Sequence, residues 1–486
     1  MPAVCGFLRA ALLTFMAVLA SGGCDAGRSP SILLIAIDTL RADRVGTGNR
    51  PGGSAAGSTP RIDQWATGAA IFRNATTPAP FTMPAMAATF TGVYPDRCGV
   101  AQHEPGTTLS PWRGQTLAEA AQRAGLVTAA IVANPWLVRE GTGFERGFST
   151  YARVYAPGKG TADISATAVT DEAIRVLSER SDERFFVWVH YFDPHMPYEP
   201  PQPFADAAGA EPQNRIMDDF RAKDRDLRHL YAGQGYSAGE IENARRLYDG
   251  EVRYVDHEVG RLLGELERLG RTRDTIVVVM SDHGEALGEH GLFFAHDYTV
   301  YDELVRVALA MRGPGIDASV RSENVSLIDV APTLCRLASL GCSESFDGSD
   351  VFDSFPAGRT VFAAATTTRS RGTPYARLEL PGFDGRSTMA VSGPLKLVRI
   401  PSKSAVAWEF YDRSADPLEL TNLAPAAADR VQPRDERLEQ QRQRLTGELE
   451  QWLRTMNAVR PAPTAHAHRG RRRESERTLR SLGYVQ

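Results

Sequence analysis

Four runs in this chain, residues 31–38 (SILLIAID), 127–132 (VTAAIV), 185–189 (FFVWV) and 275–280 (TIVVVM), are apolar without alternation and rich in β-branched side chains. A strand with one wet face alternates polar and apolar residues. A continuous run belongs to a strand covered on both faces, as in a parallel sheet between helix layers. Stretches with helical periodicity separate the runs, at 116–124, 166–180 and 243–269. Strands alternating with helices predict an α/β fold with a doubly wound, mostly parallel central sheet flanked by helices. A chain of 486 residues can hold one such large domain with appendages. Beyond residue 355 the texture changes to short strands (396–400, 408–411), then a polar helix over 435–456 and a basic tail over 469–480. The expected units are a main domain at 30–355, a smaller C-terminal α+β subdomain at 356–430, and a terminal helix and tail at 431–486. The polar stretch 202–235 reads as an insertion or lid, and 46–58 as a Gly/Ser-rich loop.

Residues 1–24 read as a targeting segment. A short n-region precedes the apolar run 10–20, which is too short to span a bilayer, and Ser21-Gly22-Gly23 leads to Cys24. This predicts a secreted, periplasmic or lipid-anchored bacterial envelope protein, touching membrane only through a lipid on Cys24. Simple cleavage without a lipid is the alternative. Cys335 and Cys342 are close enough in sequence for a local disulfide. The net charge of −4, from 55 basic and 59 acidic residues, gives no reason to expect nucleic acid as a partner.

In an open parallel sheet, ligands collect at the carboxyl ends of the strands. Two runs end there in metal-type ligands: the first at Asp38, the last at Ser281-Asp282-His283-Gly284. Two carboxylates and an imidazole suit a divalent cation. His283 makes the set softer than an all-oxygen calcium site, which favours Zn²⁺ or Mn²⁺ and leaves Ca²⁺ open. The segment Phe81-Thr82-Met83-Pro84-Ala85 places Thr82 at or beside a helix N-cap, with Pro84 in the first turn. There the bland role is an ordinary cap, and the functional one a nucleophile facing free N–H groups that favour an anion. A Thr hydroxyl attacks only once a base or metal takes its proton, so Thr82 also counts as a metal contact beside Asp38, Asp282 and His283. His195, on the loop of Trp188–Tyr198, and His296 are candidates to protonate a leaving group. Asp193 and Asn134 are candidates to bind substrate. A second metal near Asp193, His195 and His296 is the alternative to a single site.

The order of these motifs resembles the sulfatase-type branch of the alkaline phosphatase superfamily. ILLIAIDTLRADRVG resembles its first metal motif, TMPAMAATFTGVYPDRCGV its nucleophile motif, HYFDPHMPY its substrate-side His motif and SDHGEALGEHG its second metal motif. The resemblance runs almost end to end, through FYDRSADPLELTNLA to LRSLGYVQ. It implies an alkaline-phosphatase-like fold and an extracytoplasmic, metal-dependent ester hydrolase or transferase. Sulfatases of this kind carry Cys or Ser in a C/S-x-P-x-R motif that becomes formylglycine. Here Thr82 stands at that position and Met86 where the Arg belongs, so no formylglycine can form. Asp38, Thr82, Asp282 and His283 together resemble phosphotransferring branches such as phosphodiesterases, phosphoethanolamine transferases and lipoteichoic acid synthases. A phosphate ester is therefore expected slightly ahead of a sulfate ester, with Thr82 as the attacking group. The rival readings are a true sulfatase acting on sulfated glycans or aryl or alkyl sulfates, and a weakly active protein that only binds glycans or phosphoesters.

Overall fold

The computed structural model describes residues 29–46, 58–101, 107–109, 111–154, 165–222, 228–342, 345–353, 355, 358–365, 386–401, 406–424 and 436–459. The targeting segment with Cys24 and the basic tail lie outside them. Among the described residues no helix is long and apolar enough to cross a membrane.

Each continuous apolar run is a strand, buried throughout except at Val127, which is half-buried. In chain order the strands are β1 Ser31–Ile37, β2 Ala70–Thr76, β3 Val127–Val132, β4 Thr150–Arg153, β5 Phe185–Tyr191, β6 Thr275–Ser281, β7 Ala286–Leu287, β8 Phe293–Ala295, β9 Leu309–Arg312 and β10 Ser319–Ser326. Eight of them form one sheet in the order β10-β2-β9-β6-β1-β5-β3-β4. All neighbours are parallel except β9, which runs antiparallel to β2 and β6. The sheet is thus mixed but mostly parallel, as the runs predict.

Side chains from alternate positions of β1 explain the continuous pattern. Ile32, Leu34 and Ala36 enter the core under helix Thr82–Thr91, while Leu33, Ile35 and Ile37 enter the opposite core under helix Ala238–Arg268. Apolar side chains cover both faces, which is why Ile32–Ile37 carries no polar residue. The stretch 202–235 is not a free lid. Its helices Gln202–Ala208 and Arg215–Arg221 pack on helix Ala238–Arg268 and bury Ala205, Ile216 and Met217.

The C-terminal part is a separate antiparallel sheet, β11 Thr360–Ala364, β12 Thr388–Ser392, β13 Leu395–Pro401 and β14 Val406–Asp412. Helix Glu436–Val459 covers it through Leu445, Leu449, Trp452 and Met456. A buried bidentate pair, Arg386 to Asp96 at 2.8 and 3.1 Å, ties this sheet to the segment after helix Thr82–Thr91. Cys335 and Cys342 are joined as a disulfide, while Cys98 is buried and free.

Candidate active site

Three neighbouring strands of the sheet, β5, β1 and β6, run in register, with Ala36 opposite both His190 and Met280. Their carboxyl ends therefore meet. His190, Asp38 and Asp282 leave these ends with no solvent exposure, and each offers a ligand atom within 4.8 Å of the others. His283 completes the cluster. Its Nε2 lies 3.5 Å from Asp38 Oδ1 and 3.7 Å from Asp282 Oδ2, and His190 Nε2 lies 3.5 Å from Asp282 Oδ2.

The chain must turn sharply after β1 to make this cluster. Thr39 does so with φ 51°, rare for a β-branched residue, and its amide then faces Asp282 Oδ1 at 3.3 Å. The second turn depends on Gly284, whose amide donates to the Leu304 carbonyl at 2.8 Å. A Cβ at Gly284 would collide with the Glu303 backbone carbonyl. Gly284→Ala is expected to destabilise the protein by about 1–3 kcal/mol through backbone displacement, read as a lower denaturant midpoint. An unchanged midpoint would show that this turn relaxes freely.

Thr82 opens helix Thr82–Thr91, and the entire helix is buried. The N-cap is Phe81 and no side chain caps the helix, so the Thr82 hydroxyl is not spent on a cap. It receives a hydrogen bond from Asn134 Nδ2 at 3.2 Å and lies 3.3 Å from His283 Nε2. His283 Nδ1 sits 3.0 Å from the Gly284 carbonyl, which can only accept. Nδ1 therefore carries the proton, and the Nε2 lone pair faces Thr82 and the two carboxylates. Asn134 also donates to Asp38 Oδ2 at 2.5 Å and accepts from the Trp136 amide, so its rotamer is fixed from three directions.

The electrostatics separate the remaining histidines. His296 Nδ1 lies 3.1 Å from Glu285 Oε1, and its ring is 4.5 Å from that of His283 and 5.1 Å from that of His195. Burial opposes its charge, but Asp297 and Glu285 outweigh burial and raise its pKa to about 10. Burial, reinforced by His296, pushes His195 down to about 3, and its Nδ1 donates to the Met196 carbonyl at 2.6 Å. Near neutral pH, His296 carries the proton and His195 is neutral.

Asp193 is not brought to this cluster. Its carboxyl takes a hydrogen bond from the Ala166 amide at the start of helix Ala166–Glu179 and neighbours Glu251. Burial raises its pKa to about 7. The contact it makes is with the start of that helix. Met86, one turn after Thr82, is fully buried in the core.

Sequence reasoning passed over His190 and Glu285. His190 had a readable signal, since it ends the third apolar run as Asp38 and Asp282 end theirs. Glu285, 1% exposed, had none, because its partner His296 is eleven residues away on another turn.

The donor set fits a divalent cation. Asp38 Oδ1 and Asp282 Oδ2 are enclosed and accept no hydrogen bond. Burial and the Asp282 charge hold the Asp38 carboxyl well above its usual range. Asp282 is lowered despite its burial, because His283 and His190 stand beside it. Two enclosed carboxylates with open lone pairs are costly unless a positive charge joins them.

A family model described as Sulfatase matches residues 30–340. Arylsulfatase K of Bos taurus is 28% identical over 206 residues, which cover 42% of this chain and 37% of that protein. The choline-sulfatase of Rhizobium meliloti (strain 1021) is 28% identical over 294 residues, covering 55% of this chain and 54% of that protein. The chain thus spans about half, or less, of the length of these curated relatives. Among solved structures, the phosphonate monoester hydrolase of Agrobacterium radiobacter superposes with a TM-score of 0.68 at 21% identity, over 90% of this chain and 97% of that one.

Proposed function

The chain belongs to the sulfatase family of the alkaline phosphatase superfamily, and we propose that it is a metal-dependent ester hydrolase or transferase with Thr82 as nucleophile and a phosphate ester as preferred substrate. The observation that carries this reading is the Thr82 hydroxyl: buried, free of capping duty, held by Asn134 and directed at His283 Nε2. Asp38, Asp282 and the flanking His190 and His283 would hold the cation. With two imidazoles in the set, Zn²⁺ or Mn²⁺ is favoured over Ca²⁺. Bound there, it would favour the ionised hydroxyl and offset charge on the transferred group.

The chain's own residues supply the rest. Thr82 Oγ1 forms the bond to phosphorus, having first lost its proton to solvent, a loss that a cation held by Asp38, Asp282, His190 and His283 would favour. The bond from phosphorus to the leaving oxygen breaks as His296, the protonated histidine beside the cluster, gives that oxygen a proton. Water or an acceptor alcohol then cleaves the Thr82 ester.

Phosphate is preferred over sulfate on chemical grounds. A formylglycine hydrate expels sulfate from within its own covalent intermediate, and Thr82 has no second hydroxyl to do so. A phosphoryl-threonine is instead open to attack at phosphorus. The relatives named sulfatases support the family, and the phosphonate monoester hydrolase has the same fold around a phosphorus substrate.

Matched 4-nitrophenyl phosphate, phosphodiester and sulfate esters should separate by at least about tenfold in kcat/KM in favour of phosphorus. Acid quenching during turnover should leave phosphate on the peptide containing Thr82. Sulfate turnover that exceeds both phosphorus esters would overturn the substrate assignment and leave the family intact.

An envelope localisation is proposed here as well, on the targeting pattern of residues 1–24. The segment ending at Cys24 would export the chain, and lipid on Cys24 would hold it at the membrane.

A further inference from the structure

Arg139 is 6% exposed, yet no acidic side chain pairs with it among the described residues. Its Nε donates to the Trp136 carbonyl at 3.2 Å, and its guanidinium carbon lies 4.7 Å from the Trp136 ring centre. Its Nη2 lies 3.1 Å from Met83 Sδ, the residue directly after Thr82. Trp136 in turn meets Phe81 edge-on at 5.5 Å, directly before Thr82. The guanidinium thus lies against Met83 on one side of the nucleophile and against Trp136, which packs on Phe81 at the other, on the same loop that carries Asn134.

These partners do not account for a buried charge. A guanidinium has five N–H donors; one is bonded to a carbonyl, and one faces a thioether, a weak acceptor. The cation–π contact is worth about 0.5–2 kcal/mol, against several kcal/mol for removing an unpaired ion from water. Nη1 has no protein partner among the described residues, and it is absent from the fully enclosed polar atoms, so it reaches solvent. Burial alone lowers the Arg139 pKa to about 10, with no charged group contributing, so it remains a cation near neutral pH. It is a positive point one residue along from the nucleophile, at Met83.

We propose that Arg139 forms an anion subsite beside the nucleophile, which binds a second anionic group (carboxylate, phosphate or sulfate) carried by the same substrate. The substrate class is then an ester with at least two anionic groups. This deepens the ester-hydrolase reading and rests on it for the identity of the first group. The arrangement suits a planar oxyanion, since the fork of Nη1 and Nη2 presents paired donors.

Binding without turnover tests the subsite separately from the catalytic reading. Phenylphosphonate and 3-carboxyphenylphosphonate have a P–C bond in place of the ester oxygen, so neither needs Thr82 to react. Titration calorimetry on the full chain should give the carboxylated probe about 10- to 100-fold tighter binding, the worth of one charge-assisted hydrogen-bonded pair. Arg139→Met should abolish that preference, and Arg139→Lys should keep part of it. Arg139→Met should also melt no lower than wild type, because an unpaired buried charge is replaced by an apolar chain of similar length. Equal affinity of the wild-type protein for the two probes, or a full preference surviving in Arg139→Met, would overturn the subsite. Failure to hydrolyse any ester, with the binding preference present, would instead sink the proposed reaction and leave the subsite standing.

Discussion

Replacing Thr82 by alanine should lower turnover of a good ester by about four orders of magnitude or more while leaving the fold intact. In the proposed reaction the hydroxyl supplies the attacking atom, and among the described residues no other hydroxyl shares its contacts with Asn134 and His283. The structural cost is small for identifiable reasons. Thr82 makes no capping bond, so helix Thr82–Thr91 loses nothing at its N-terminus. Asn134 loses one acceptor and keeps Asp38, a change of about 1 kcal/mol against a total stability of about 5–15 kcal/mol. Thr82→Ser keeps the oxygen and loses only the methyl group that restricts its rotamer, so it should retain activity within about 100-fold of wild type. The discriminating data are single-turnover rates together with a thermal melt for each variant. A folded Thr82→Ala protein that works at the wild-type rate would rule out Thr82 as nucleophile.

The strand ends were legible in the sequence because burial on both faces leaves a plain mark. In β1 and β6 the apolar run stops at the carboxyl end of the strand, so Asp38 and, directly after Ser281, Asp282 stand out as the first charged residues. The same rule reaches His190 at the end of β5, but the eye is drawn past it by the denser Asp193-Pro194-His195 sequence. In that sequence Asp193 meets the start of helix Ala166–Glu179, while the His195 ring packs beside His296. What the sequence does not carry is pairing at long separation. Glu285 reaching His296, Asn134 bridging Asp38 and Thr82, and Arg139 lying against Met83 all depend on loops whose paths follow from packing, not from periodicity. The insertion at 202–235 shows the same limit. Its polar composition reflects exposed helix faces, while five buried apolar side chains among its described residues, Ala205, Ala210, Ile216, Met217 and Leu230, fix it to the core.

Asp38→Asn should give stability changes of opposite sign with and without metal. In the protein freed of metal, Asp38 and Asp282 share an enclosed site, and burial together with the Asp282 charge raises the Asp38 pKa well above its usual range. A carboxyl whose folded pKa is raised costs stability at every pH above its unfolded value, and that cost fades as pH falls and the group protonates. Removing the charge therefore stabilises the metal-free protein near neutral pH. The metal-loaded protein gains a ligand's worth of binding energy that the variant lacks, and any ion bound only to the folded state raises stability by mass action. In the presence of a chelator, Asp38→Asn should melt above wild type; with metal in excess it should melt below. Activity should fall at least about a thousandfold in either case, since the charge that offsets the transferred group is lost with the ion. Elemental analysis after dialysis closes the argument. Asp38→Asn retaining wild-type metal stoichiometry would move the ion away from these strand ends, and identical melting shifts with and without chelator would do the same.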